Sequence, residues 1–116
     1  METLIVTGAA GSIGTRVCKT LAETEGIAAI LAIDTRPEMP NHRRVYHHQL
    51  DLQIDDLKPV FEGATSLIHL ATSFGPSSDG TDAGGAEIDA TRRVFEAASA
   101  VAVSYTHLTL PTKRIV

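Results

Sequence analysis

The fold of this chain is decided by the stretch Thr7-Gly8-Ala9-Ala10-Gly11-Ser12-Ile13-Gly14. The apolar run before it, Leu4–Val6, is typical of a buried strand, and in Thr15–Glu25 after it apolar residues recur at helical spacing. Three glycines in such a turn allow a tight bend, close approach of the backbone to a pyrophosphate, and close packing of helix on strand. The helix N-terminus adds N–H groups and a partial positive charge. The pattern predicts a phosphate-binding turn with contacts from Gly8, Gly11, Ser12, Ile13 and Gly14.

Two other interpretations of the glycine-rich turn differ in standing: a turn without a ligand stays possible, and a Walker-type loop does not. A glycine-rich turn without a ligand would also join a strand to a helix. A Walker-type phosphate loop is excluded, because no Gly-Lys-Ser/Thr sequence follows the turn.

An acidic residue ends the second apolar run of the chain. Ile27–Ile33 reads as a fully buried strand, and Asp34 follows it, twenty positions beyond Gly14. A carboxylate there accepts both ribose hydroxyls of an adenosine and repels a 2′-phosphate, although an acid at this place can also cap the following turn. Arg36 could instead hold a 2′-phosphate. With Asp34 present, the sequence favours NAD over NADP as the cofactor.

Apolar runs and amphipathic segments alternate along the rest of the chain up to about residue 102. This alternation predicts an α/β protein with a truncated, doubly wound parallel sheet of the Rossmann type, about four strands and helices on both faces. The strands are expected near Thr3–Val6, Ala29–Ile33, Val45–His48 and Leu67–Leu70. The helices are expected over Thr15–Glu25, Asp55–Glu62 and Ala86–Ala102, and a Gly-, Ser- and Asp-rich loop over Thr72–Gly85.

Composition narrows the class of protein. The 116 residues form one domain at most, and a net charge of −4 argues against a nucleic-acid surface. The single cysteine, Cys18, reads as a small buried hydrophobic residue. His47 and His48 are strand neighbours that point to opposite faces, so no metal site is expected. We find neither a signal peptide nor a membrane-spanning run, so we expect a cytoplasmic protein without a membrane partner.

These motifs together resemble the N-terminal part of the extended short-chain dehydrogenase/reductases, the NAD-dependent epimerase/dehydratase family. The glycine turn and Asp34 match that family's phosphate- and ribose-binding residues. The resemblance implies that Asp51 and Leu52 flank the adenine. His69-Leu70-Ala71-Thr72 is similar to the family's strand whose backbone lies under the middle of the cofactor, with contacts expected from Leu70, Ala71 and Thr72. Ile88–Ala98 is similar to the family's next helix, but Glu87 stands where the family usually carries Asn in the first turn of that helix.

The family's catalytic residues have no counterpart in this chain. The family continues with a fifth strand that ends in Ser or Thr and then with Tyr-x-x-x-Lys, whereas Ser104 and Tyr105 are adjacent here and Thr109 stands four positions after Tyr105. Residues 103–116 resemble the translation of a sequencing adapter joined to a truncated gene. We therefore expect an N-terminal cofactor-binding domain over residues 1–102, a non-native tail over 103–116, and no catalytic residue; a genuine divergent strand is the alternative for the tail.

The resemblance implies an enzyme fragment, the cofactor-binding front of an NAD-dependent epimerase, dehydratase or reductase. The parent protein would act by hydride transfer on a small molecule, such as a nucleotide sugar, and would form a homodimer. A non-catalytic nucleotide sensor on the same fold is the alternative. A third reading is a chain that is translated but inert.

Overall fold

A parallel five-stranded sheet forms the centre of the molecule. The computed structural model describes residues 2–39, 41–70, 83–101 and 104–108, with the backbone alone at 83–88 and 104–108. The strands, in chain order, are β1 (Glu2–Thr7), β2 (Ile27–Asp34), β3 (Val45–Gln49), β4 (Ser66–His69) and β5 (Ser104–Leu108). The helices are α1 (Ser12–Ala22), α2 (Lys58–Phe61) and α3 (Ala83–Ala100). The strand order is β3-β2-β1-β4-β5, and each adjacent pair is parallel.

This architecture confirms the predicted α/β class and the parallel sheet. The first four strands lie within two residues of their predicted bounds. After β3 the chain crosses to the other side of β1, so the crevice between β1 and β4 is the point at which the strand order reverses. In open α/β sheets, ligands bind outside the carboxyl ends of the strands at such a point.

The helices depart more from the prediction than the strands do. α1 begins at Ser12 rather than Thr15, because Gly11 is its N-cap with an extended backbone (φ −76°, ψ 173°). α2 covers only Lys58–Phe61 of the predicted Asp55–Glu62, and Pro59 lies in its first turn, where a missing N–H is tolerated. α3 begins at Ala83, so the end of the loop expected over Thr72–Gly85 is helical; residues 71–82 lie outside the described residues.

Two apolar cores lie on opposite faces of the sheet, as the expected helices on both faces require. Alternate residues of β1 face opposite sides: Ile5 packs with the core under α2 and α3, whereas Leu4 and Val6 pack with the core under α1. Cys18 of α1 is fully buried in the second core, and burial raises the pKa of its thiol to about 11. The predicted interpretation of Cys18 as a buried hydrophobic residue agrees with this placement.

The fifth strand lies in the segment that the sequence analysis set aside. Ser104–Leu108 pairs with β4, with Ser66 beside Ser104 and His69 beside Leu108 across a register shift. The sheet therefore has five strands where about four were expected. The exposed backbone groups of β4 accept any strand-forming segment that α3 returns to that edge. That residues 103–116 derive from an adapter stays a prediction.

In the described ranges, no helix combines the length and the apolar character that crossing a bilayer requires.

Candidate functional site

The glycine turn lies against the end of β2. The N–H groups of Gly8 and Ala9 donate to the carbonyl oxygen of Ile33 at 2.9 and 3.2 Å, and Gly11 N–H donates to the Gly8 carbonyl at 3.1 Å. Gly8 has a φ of 73°, in the left-handed region that favours glycine. The turn is thus held by backbone hydrogen bonds at the carboxyl edge of the sheet.

Gly11 and Gly14 are required for different reasons. A Cβ atom on Gly14 would lie 2.1 Å from the Gly8 carbonyl oxygen, so only glycine lets the helix pack this closely on the turn. A Cβ atom on Gly11 would meet that oxygen at 3.4 Å, which is ordinary van der Waals contact, and the backbone of Gly11 is extended. Neither packing nor conformation demands glycine at position 11. A small side chain would therefore fit at position 11, beside the Arg36 guanidinium.

The N-terminus of α1 opens beside Gly11. No side chain caps the helix, and its first turn carries no acidic residue. Ser12 and Ile13 are exposed, and 62% of the Ile13 surface is accessible even though the residue is apolar. Uncapped N–H groups with their partial positive charge favour an anion, and phosphate is the usual one at such a position.

Asp34 borders the same turn. Its Oδ2 accepts a hydrogen bond from Ala10 N–H at 3.0 Å, and its Oδ1 accepts one from Arg36 N–H at 3.1 Å. The side chain is only 8% exposed. Burial raises the pKa of Asp34, but the hydrogen bonds from Arg36 and Ala10 outweigh it and lower the pKa below its ordinary value. The carboxylate is therefore ionised and lies within hydrogen-bonding distance of the turn.

The Arg36 guanidinium lies across Asp34. Its Nε is 3.3 Å from Oδ1 and its Nη2 is 3.4 Å from Oδ2, while 58% of the arginine side chain is exposed. Nη2 would also lie 3.8 Å from a Cβ atom on Gly11, so Arg36 spans the gap between the acid and the turn. In this arrangement Asp34 caps its own turn, the alternative raised from the sequence. The guanidinium therefore contacts both carboxylate oxygens of Asp34 from the exposed side.

The residues predicted to flank the adenine have local partners. Asp51 Oδ1 accepts Gln53 N–H at 2.8 Å, and Asp51 N–H donates to Asp55 Oδ2 at 2.7 Å, so this carboxylate shapes the turn after β3. Leu52 is 5% exposed and packs in the core under α2 and α3. Their predicted contacts with a cofactor stay predictions.

Part of the predicted site is only partly described. Leu70 is half-buried, and its N–H donates to Thr7 Oγ1 at 3.0 Å. Ala71 and Thr72 lie outside the described residues, as does the side chain of Glu87.

The side-chain contacts of a buried polar group beside the turn were not predicted from the sequence. His69 Nδ1 is 2.6 Å from Thr7 Oγ1, and His69 Nε2 is 3.0 Å from Thr91 Oγ1 on α3. Thr7 and His69 are fully buried, and burial lowers the pKa of His69 to about 4. The available signal was a polar residue at the end of each of two apolar strands that become neighbours.

Arg93 was missed as well. From α3 its guanidinium donates to the carbonyl oxygen of Leu52, and to that of Asp55 at 2.7 Å. Arg93 therefore joins α3 to the segment after β3.

Other residues discussed from the sequence do not join this site. In the described part of the chain, no three His, Cys, Asp or Glu residues form a group that could hold a metal ion, and His47 and His48 lie on the edge strand β3. Ser104 and Tyr105 are consecutive residues of β5.

The arrangement fits a dinucleotide cofactor. The glycine turn, an uncapped helix N-terminus and an ionised carboxylate at the end of β2 lie within one short stretch of the carboxyl edge. These groups complement a phosphate and a ribose at adjacent positions.

Comparison with known proteins supports this assignment. The family model described as the NAD-dependent epimerase/dehydratase family matches residues 4–110. No curated protein sequence matches the chain.

Several solved structures share the fold. A structure of MoeE5 in complex with UDP-glucuronic acid and NAD matches with 26% identity and a TM-score of 0.75, over 92% of this chain and 36% of that one. A UDP-glucuronic acid 4-epimerase from Bacillus cereus in complex with NAD matches with 23% identity and a TM-score of 0.74, over 92% and 39%. A UDP-N-acetylglucosamine 4-epimerase from Methanobrevibacter ruminantium M1 matches with 24% identity and a TM-score of 0.71, over 88% and 35%. The chain thus spans little more than a third of the length of these proteins.

Proposed function

Because this chain belongs to the NAD-dependent epimerase/dehydratase family, we propose that it binds NAD and is the cofactor-binding part of a hydride-transfer enzyme. One observation carries the proposal: Asp34 Oδ2 accepts the Ala10 N–H at 3.0 Å. This bond joins the acid at the end of β2 to the turn at the end of β1. A ribose site and a phosphate site are therefore neighbours on one edge.

The turn binds the pyrophosphate in this proposal. The negatively charged pyrophosphate lies over Gly11, where any side chain would occupy the same space. It accepts hydrogen bonds from the uncapped N–H groups of Ser12 and Ile13. Gly14 contributes indirectly, because it lets α1 approach the turn closely enough for those N–H groups to face the ligand.

Asp34 selects the cofactor. Its ionised carboxylate accepts the hydroxyls of the adenosine ribose and repels a phosphate at the 2′ position. Arg36 opposes this selection, because its exposed guanidinium attracts a 2′-phosphate once it leaves Asp34. The Arg36 guanidinium is exposed, so solvent screens its attraction for a 2′-phosphate, whereas the side chain of Asp34 is largely buried. The repulsion by Asp34 is therefore the larger effect, and NAD is preferred.

The substrate of the parent protein is a nucleotide sugar in this proposal. MoeE5, which is 26% identical to this chain, was solved with UDP-glucuronic acid and NAD together. Bound NAD supplies a hydride acceptor for a substrate hydroxyl carbon. This chain supplies the binding and orientation of the cofactor, and the rest of the parent supplies the substrate site.

The test is a comparison of NAD and NADP binding by calorimetric titration. Wild type is expected to bind NAD more tightly than NADP. Asp34→Ala is expected to reduce the ratio of the two affinities about tenfold, because hydrogen bonds to a charged group are lost. Asp89→Ala is the matched control, because it removes the same charge and an aspartate–arginine pair, Asp89–Arg92, at an exposed place on α3. The control should keep the wild-type preference. Tighter binding of NADP by wild type would contradict the assignment of Asp34.

A further inference from the structure

Three side chains connect α3 to the glycine turn through the interior of the protein. His69, the last residue of β4, contacts Thr7 Oγ1 through Nδ1 and Thr91 Oγ1 through Nε2. Thr7 is the last residue of β1 and immediately precedes Gly8. The connection therefore joins the ends of two neighbouring strands and a helix beneath the turn that is proposed to bind pyrophosphate.

The distances indicate which nitrogen of His69 carries the hydrogen. Oxygen donors form hydrogen bonds as short as about 2.5 Å, whereas N–H donors bond at about 2.7–3.2 Å. The 2.6 Å contact at Nδ1 therefore fits a hydrogen bond donated by the Thr7 hydroxyl, and the 3.0 Å contact at Nε2 fits one donated by the ring N–H to Thr91. The ring is neutral near neutral pH, because its burial disfavours the charged form.

The hydrogen bonds run in one direction from β4 to α3. Leu70 N–H donates to Thr7 Oγ1 at 3.0 Å; with the hydrogen on Nε2, Thr7 would donate to His69 and His69 would donate to Thr91. Among the described residues, no buried side-chain nitrogen or oxygen lacks a partner. Removing one hydroxyl would leave a buried ring nitrogen without a partner, which costs more than losing an exposed hydrogen bond.

We propose that His69, as the neutral imidazole with its hydrogen on Nε2, is a positioning residue that fixes the glycine turn relative to α3. This inference rests on the proposed function, because the turn is the part of the chain proposed to hold the pyrophosphate. The role proposed for His69 is separate from the selection of the cofactor by Asp34. It predicts that a change on α3, remote from the turn, alters the turn through His69.

The chain offers a matched pair of substitutions for the test. Thr91→Val removes the hydroxyl at the α3 end of the connection. Thr65→Val removes a hydroxyl that joins the same two strands at their opposite end, where Thr65 Oγ1 accepts Thr3 N–H at 3.1 Å and donates to the Thr3 carbonyl at 3.0 Å. Both variants lose one threonine hydroxyl that bonds a neighbouring strand, exposed at Thr65 and half-buried at Thr91, but only the second of these hydroxyls touches His69. Thr91→Ser restores the hydroxyl.

The first readout is NMR of the full chain without cofactor. Long-range nitrogen–proton correlation spectra of the ring are expected to show the hydrogen on Nε2 of His69. Thr91→Val is expected to shift the amide signals of residues 8–14 and to increase their hydrogen exchange, whereas Thr65→Val leaves them unchanged and Thr91→Ser restores them. A hydrogen on Nδ1, or equal effects of Thr91→Val and Thr65→Val on the turn, would overturn the proposal.

The second readout is NAD titration of the same variants. Thr91→Val is expected to weaken NAD binding about tenfold, the equivalent of one buried hydrogen bond, with Thr65→Val unchanged. Unchanged affinity in Thr91→Val would overturn the positioning role. If wild type itself binds no NAD, the proposed function fails, and the ring tautomer and the turn amides still decide the role of His69.

Discussion

At the scale of single residues, Gly11 and Gly14 show that glycines of one motif serve different ends. Gly14 is buried, and a Cβ atom there would overlap the backbone of Gly8. Gly11 has room for a side chain and a backbone conformation open to any residue. Packing therefore requires glycine at position 14 but not at position 11, where we propose that the cofactor needs the space.

Substitution of each glycine should separate binding from folding. Gly11→Val is expected to abolish NAD binding while the unfolding midpoint in urea stays near that of wild type. Gly14→Ala is expected to lower the free energy of unfolding by about 1–3 kcal/mol, the usual cost of forcing extra volume into packed structure. Circular dichroism and cofactor titration measure the two effects. Parallel loss of folding and binding in Gly11→Val would mean that this glycine serves packing.

His69 makes stability depend on pH. Its pKa falls from an ordinary value of 6.5 to about 4 in the folded protein, so the unfolded chain binds the proton more tightly. The stability linked to neutral His69 is complete above about pH 6.5 and is lost as the pH falls toward 4. We expect the free energy of unfolding to drop by about 2 kcal/mol between pH 7 and pH 5. Urea unfolding at both values measures it, and His69→Asn should remove most of the difference.

The sequence predicted residues whose role follows from local spacing. Gly8, Gly11 and Asp34 were identified because the motif and its distance to the acid lie along the chain. The contact between Thr7 and His69 joins residues 62 positions apart, and it depends on the register of β1 against β4. Register follows from packing of the whole sheet, so local spacing did not reveal that pair.

At the scale of elements, α3 makes side-chain contacts with two segments near the candidate site. Thr91 reaches the ends of β1 and β4 through His69, and Arg93 reaches the carbonyl oxygens of Leu52 and Asp55 in the segment after β3. The predicted helix over Ala86–Ala102 was correct in type, but its amphipathic pattern says nothing about what an arginine on it binds. α2 is also shorter than predicted. Residues 51–55 form a separate turn before it, in which Asp55 N–H donates to the Asp51 carbonyl at 2.9 Å and the side chains of Asp51 and Asp55 add further hydrogen bonds.

Adjacent arginines on α3 allow a test of this support. Arg93→Leu leaves two carbonyl oxygens without their charged donor, so we expect the free energy of unfolding to fall by about 1–3 kcal/mol. Arg92→Leu removes an exposed guanidinium that pairs only with Asp89 and Glu96 within the described residues of α3, so little change is expected. Urea unfolding of both variants measures the contrast. Equal effects would show that Arg93 contributes no more than a surface charge.

At the scale of the whole molecule, the sequence predicted the parallel arrangement of the sheet correctly but not the number of its strands. Buried runs alternating with amphipathic segments predict parallel strands with helices on both faces, and the order β3-β2-β1-β4-β5 agrees with this. β5 was left out, because Ser104–Leu108 was interpreted as non-native sequence. Backbone pairing at a sheet edge depends weakly on side-chain identity, so composition was a poor guide to whether this segment pairs.

The chain is expected to bind cofactor without turning over substrate. Neither tyrosine has lysine at the fourth following position: Leu50 follows Tyr46 at that spacing, and Thr109 follows Tyr105. Absence of a positioned acid/base costs about 10²–10⁴-fold in rate, and loss of substrate orientation costs more. Incubation with NAD and UDP-glucuronic acid or UDP-glucose, followed by absorbance of NADH and by product chromatography, should show no reaction. Measurable turnover would contradict the absence of a catalytic residue.

The central place of β1 has a consequence for synthesis of the protein on the ribosome. β1 is made before both of its neighbours: it pairs on one side with β2 and on the other with β4, whose residues emerge about sixty positions later. Until β4 has been translated, the nascent chain carries β1 with one bare edge, and the contact of Thr7 with His69 cannot form. Contacts of such long separation form slowly. The glycine turn is therefore translated about sixty residues before the β4 contacts that fix its position.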